Sequence, residues 1–99
     1  MVKLLMSWNI RSGREREYFE FIGEEFVPGL EKLGVQPTEA WYTAFGNRPQ
    51  ILTGAVVEDL KTMRKVLASE EWHGLKTKLL GYVTDYHQKI VRASGLFQL

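Results

Sequence analysis

No cysteine occurs anywhere in the chain, which removes disulfide frameworks, thiolate nucleophiles and cysteine-based zinc sites together. Histidine is nearly as scarce, with 2 residues, and proline appears 3 times. Two separated histidines and scattered carboxylates give no metal-ligand spacing on any one helix face. Charge of one sign is missing too. The 13 basic and 12 acidic residues leave a formal charge of +1, so nothing draws the chain toward a polyanion, and nucleic acid is not expected as a partner. No apolar run approaches the length of a membrane span. The amino terminus has one lysine before a short apolar run and then turns polar without a small-residue cleavage site, so it reads as a strand and not a secretory signal. A cytoplasmic protein without membrane association is the expectation.

The 99 residues, 44% hydrophobic and 12% aromatic, specify a single domain over 1–99, near the size at which burial is incomplete and a partner surface helps. Val2, Leu4, Met6, Trp8 and Ile10 alternate with Lys3, Leu5, Ser7, Asn9 and Arg11, the period of a strand. Ser12 and Glu15 stand at capping-box spacing, so a helix is predicted to begin near Gly13. Its expected buried stripe is Phe19, Ile22, Phe26, Leu30 and Leu33, and Gly34 fits its end. Pro28 and Gly29 predict a kink or break within it.

Residues 36–45 and 50–58 read as two strands of a hairpin around the turn signals Gly46, Asn47, Arg48 and Pro49. Asp59 suits the start of a short helix carrying Leu60, Met63 and Leu67. Ser69, followed by Glu70 and Glu71, opens the most plainly amphipathic stretch, with Trp72, Leu75, Leu79 and then Tyr82 or Val83 on one stripe. Residues 87–92 read as a fourth strand, and the apolar tail 96–99 would be costly to leave in water. The order β-α-β-β-α-β is that of an α+β, ferredoxin-like domain, a four-stranded antiparallel sheet with helices on one face.

Two helices cover one face of such a sheet, yet the strands carry apolar groups on both: Leu4, Leu5 and Met6 are consecutive, Trp41 adjoins Tyr42, and 51–57 reads ILTGAVV. The simplest cover for the second face is an identical sheet, so a homodimer with sheets face to face is expected.

The element order, the Ser12-Gly13-Arg14 start of the first helix, the PGLEKLG run that ends it, and LASEEWHGL through DYHQKIV together resemble the dimeric α+β-barrel superfamily. That group includes NIPSNAP-like proteins, haem-degrading monooxygenases and antibiotic-biosynthesis-type monooxygenases. The resemblance covers nearly the whole chain and implies a dimeric α+β barrel with a ligand cleft between helices and sheet. Asn9 and Trp72 are similar in type and rough placement to the Asn and Trp of haem-degrading members. Those enzymes place an axial histidine further along the helix, where this chain has Tyr82 and Val83, so haem degradation is not implied, and no cofactor is expected.

Cofactor-independent members hold phenolic substrates with polar groups of the kinds that Asn9, Trp72, Tyr82, Tyr42, Arg11 and His73 supply. The candidate substrate-binding residues are therefore Asn9, Trp72, Tyr82 and Tyr42, with His73 as the candidate catalytic proton carrier. Against this stands the simpler reading that Trp72 is a core anchor, Asn9 an edge or turn residue and His73 a solvated helix residue. No carboxylate or nucleophile is fixed near His73 or His87 by spacing. An RNA-recognition module shares the element order but needs stacking aromatics in the third strand, which here reads QILTGAVVE. The expected function is binding of a small apolar or aromatic metabolite. The alternative is a cofactor-free monooxygenase acting on a phenolic substrate, and a third reading is a self-associating protein whose clefts are filled by its own side chains.

Overall fold

A computed structural model describes residues 1–43 and 50–92. The elements are β1 (Val2–Ile10), α1 (Glu15–Phe21), a π-helical turn (Ile22–Phe26), α2 (Val27–Lys32), β2 (Gln36–Tyr42), β3 (Ile51–Val57), α3 (Leu60–Leu67), α4 (Glu70–Leu80) and β4 (Val83–Arg92). The strands form one antiparallel sheet in the order β2-β3-β1-β4, the split arrangement expected of a ferredoxin-like domain. The expected turn at 46–49 and tail at 96–99 lie outside the described residues.

The alternation in β1 becomes its burial pattern. Val2, Leu4, Met6, Trp8 and Ile10 are all buried against the helices, while the residues between them are half-buried on the other face. Burying a large apolar side chain contributes roughly 1.5–3 kcal/mol, so this one strand is a major part of the core. Phe21, Phe26 and Leu30 from the first helix, and Met63, Trp72 and Leu79 from the second pair, close over it.

The first helix departs from expectation at its start and in its middle. The Ser12–Glu15 capping box does not form: the helix starts at Glu15 behind Arg14, which makes no side-chain capping bond. Proline produces no break. Pro28 sits in the first turn of α2, and the helix is continued from α1 by the wide turn, whose Val27 N–H donates to the Ile22 carbonyl five residues back. This turn rotates everything before it by one residue. Tyr18 and Phe21 are buried where uninterrupted α-periodicity points to Phe19 and Ile22; Phe19 is exposed and Ile22 half-buried. Gly34, at φ 83°, ends the helix as expected. The Val35 N–H reaches the Leu30 carbonyl and the Gly34 N–H that of Glu31, a Schellman arrangement that also buries Val35 and Leu30.

The second helical pair follows its capping signals. The Asp59 carboxylate accepts from the Thr62 N–H at 2.8 Å and the Ser69 hydroxyl from the Trp72 N–H at 3.2 Å, satisfying amides at the two helix starts. In α3, Met63 and Val66 are buried, whereas Leu60 is exposed and Leu67 half-buried. β4 begins four residues before the predicted 87, at Val83. Its alternation is interrupted by a bulge opposite Trp8, where Asp85 adopts φ 54°, and that extra residue hides the period of two from the sequence.

Candidate functional site

The cleft most suited to a ligand lies between the wide helical turn and the β2–β3 side of the sheet. Its floor comes from Met6 and Trp8 on β1 and Ile51 and Thr53 on β3, and its wall from Tyr18, Ile22, Phe26 and Leu30. The volume is about 280 Å³, at the small end for an organic ligand. Among the described residues no lysine or arginine contributes to the lining. Glu39 adjoins the cleft, but its carboxylate is tied to the Lys3 ammonium at 2.7 Å on the other face of the sheet, and this bond, with one from the Thr38 hydroxyl, holds its carboxyl below the usual glutamate range.

Trp8 is the centre of this site. Its indole stacks on Tyr86 at 5.9 Å and meets the edges of Tyr18 and Phe26 at 6.4 and 6.1 Å, distances at which aromatic pairs attract. Its Nε1–H donates to the Tyr18 hydroxyl at 2.9 Å, in a bond buried from solvent. Burial pushes the Tyr18 phenol up despite that bond, so the hydroxyl keeps its proton at neutral pH. Burial does the same to Tyr86, whose hydroxyl donates to the Gln88 side chain at 2.7 Å.

The residues singled out from the sequence stand elsewhere. Asn9 projects to the other face of the sheet, donating to Asp85 at 3.1 Å and accepting from the Gln50 N–H at 2.9 Å. Trp72 is a core residue, 1% exposed, packed against Phe26 at 6.3 Å. Tyr82 lies on Phe21 at 5.3 Å with the Arg14 guanidinium 4.9 Å from its ring. Tyr42 is exposed on the edge strand, and its hydroxyl accepts from Gln50 Nε2 at 3.3 Å. His73 is exposed on α4. None of these five lines the cleft, and the structure does not gather them at one point. Among the described residues no three His, Asp or Glu side chains are grouped to hold a metal ion.

Tyr18 was the residue that periodicity concealed. Its helix position faces solvent if the helix is uniformly α, and only the wide turn carries it inward. The available signal was Pro28, because a proline deprives the carbonyl four residues earlier of its partner and so favours irregular bonding in the turn before it.

No family model matches the chain, and neither does any curated protein sequence. Solved structures do. An uncharacterised NIPSNAP-domain protein from Burkholderia xenovorans superposes with a TM-score of 0.71 at 11% identity, over 99% of each chain. The chain has the NIPSNAP-domain fold. A NIPSNAP-family protein from Agrobacterium tumefaciens matches with a TM-score of 0.67 at 17% identity, over 94% of this chain and 85% of that one. A protein from Arabidopsis thaliana gives 0.75 at 10% identity, over 99% of this chain and all of the other. The expected likeness to the dimeric α+β-barrel group thus holds at the level of fold. One fold hosts many unrelated sites, and at these identities the shared fold carries no activity with it.

Proposed function

We propose that the protein is a small cytoplasmic homodimer that binds a small apolar or aromatic metabolite in the cleft between the wide helical turn and the β2–β3 strands. The observation that carries this reading is the cleft itself: a concavity of about 280 Å³ with Trp8, Tyr18, Phe26 and Leu30 around it and, among the described residues, no cationic side chain in its lining. Apolar walls with a few fixed polar groups are the usual composition of a small-molecule site. Oxidation of a phenolic substrate has no comparable support, since Asn9, Trp72, Tyr82 and His73 stand on separate surfaces or in the core.

Pairing through the sheet is supported by the composition of its open face. Leu52 and Trp41, opposite one another in the β2–β3 register, are 41% and 56% exposed, and half-buried Leu5, Val56 and Val91 share that face. Such a patch is stabilised by a matching copy.

Titration of 15N-labelled protein with bicyclic aromatic compounds, followed at the tryptophan indole N–H resonances, tests the binding. Saturable shifts centred on Trp8 are expected, and no shift at millimolar ligand would overturn the proposal. Sedimentation tests the pairing. The protein should run at twice the chain mass at micromolar concentration and Leu52→Lys at the mass of one chain; a wild-type monomer would remove the dimer.

A further inference from the structure

Tyr18 is buried, being 3% exposed, and its hydroxyl accepts a hydrogen bond from its neighbour. An indole N–H can only donate, so the 2.9 Å contact from Trp8 Nε1 occupies an acceptor position on the phenol and leaves the phenolic proton to be directed elsewhere. Trp8 cannot yield to a different arrangement, being clamped between Tyr86 on its face and Phe26 at its edge. Among the described residues the Tyr18 hydroxyl donates to no acceptor, although a buried donor ordinarily finds one. Tyr18 also lines the cleft.

Resting on the cleft reading above, we infer that the Tyr18 hydroxyl is the recognition donor of this site and that the ligand is a neutral, mainly hydrocarbon molecule carrying one carbonyl oxygen, such as an aryl ketone. Three features select that class. The unused proton calls for an oxygen acceptor. A lining without lysine or arginine among the described residues leaves a carboxylate or phosphate poorly compensated. The surrounding Met6, Ile22, Phe26 and Leu30 suit a compact ring skeleton.

A matched pair of probes isolates the donor: 1-tetralone and tetralin share a skeleton and differ by the carbonyl. In a cleft offering no donor the hydrocarbon binds more tightly, because the ketone must shed its water without replacement. Here 1-tetralone should bind at least as tightly as tetralin, as read from the Trp8 indole N–H shift. Tyr18→Phe should weaken 1-tetralone about tenfold, in the range of one hydrogen bond, while leaving tetralin within about twofold, since no polar contact to it is lost.

Tetralin binding about tenfold tighter than 1-tetralone to the wild type, or unchanged 1-tetralone affinity in Tyr18→Phe, would overturn this inference and leave the apolar cleft reading standing. Binding of neither probe would overturn both. Should Tyr18→Phe fail to fold, because it strands the Trp8 N–H, the wild-type ratio of the two affinities decides alone.

Discussion

The side chains of Asn9 and Gln50 extend the pairing of β1 with β3 past the ends of the two strands. The Asn9 side chain accepts from the Gln50 N–H at 2.9 Å, and the Gln50 side chain accepts from the Ile10 N–H at 2.8 Å. The strand ladder has its last pair at Trp8 and Ile51, so these side chains continue it beyond the backbone's own reach. The Asn9 amide nitrogen donates to Asp85 of the β4 bulge, joining three strands at one corner. Asn9→Ala should lower stability by about 1–2 kcal/mol in urea titration and speed amide exchange at Gln50. An unchanged midpoint would show that the corner is held by its ladder alone.

Asp85 occupies φ 54°, a region that β-branched residues enter only under strain. Asp85→Val should cost about 1–3 kcal/mol. Asp85→Gly relieves the backbone and loses only the exposed bond from Asn9, so it should fall within about 1 kcal/mol of wild type. Thermal unfolding of the two variants separates backbone strain from the lost contact, and equal losses would place the whole effect in the side chain.

Gly29 marks the close approach of α2 to α4. A Cβ there would stand 2.6 Å from Leu75 Cδ1 and 2.9 Å from Cδ2, closer than van der Waals contact allows, although the helix itself favours alanine over glycine by about 1 kcal/mol. Gly29→Ala should therefore be neutral to destabilising by about 1 kcal/mol alone, and stabilising by about 0.5–1 kcal/mol in a Leu75→Ala background. A double-mutant cycle measures this coupling; additive effects would mean that Leu75 turns aside without cost.

Lys3 on β1 reaches Glu39 on β2 by crossing the whole width of β3, over Gly54. A side chain at Gly54 would meet the Glu39 carboxylate and the Lys3 stem at 3.1 Å each. Because the folded carboxyl titrates below its ordinary value, the unfolded state takes up a proton first as pH falls. The pair's contribution is thus fully present above the ordinary glutamate range and is lost as pH drops through the lowered folded value. The pair is partly exposed, so its worth is no more than about 1 kcal/mol. Glu39→Gln should flatten the stability profile between neutral and acid pH, most clearly at low salt; a profile parallel to wild type would assign the pH dependence to other carboxylates.

The parts of the fold legible in the sequence are those with an uninterrupted period or a local cap. The five alternate residues of β1, the Asp59 and Ser69 caps and the glycine end at Gly34 all follow from nearest-neighbour chemistry. The illegible parts lie beyond a change of period. The Asp85 bulge hides the first half of β4, and the turn at Ile22–Phe26 exchanges Phe19 for Tyr18 on the buried face. The lining of the candidate cleft was obscured for the same reason. Asn9, Tyr42, Tyr82, Trp72 and His73 were chosen by residue type, whereas membership of the cleft depends on which side of the sheet or helix a side chain leaves, and one residue of offset reverses that.

The turn at Ile22–Phe26 also bears on chain length. With its five-residue hydrogen bond the segment behaves as an ordinary helix into which a single residue has been inserted, the surplus absorbed as a widening. Gly23 is exposed, and nothing stands within 4 Å of where its side chain would begin. A chain shortened by one residue at Gly23 would regain uniform α-helical pitch while keeping Tyr18, Phe21, Phe26 and Leu30 on a common face. Homologous chains can therefore differ in length here without exchanging the side chains that meet the sheet, and an alignment that forbids a gap in this helix would pair the wrong aromatic residues.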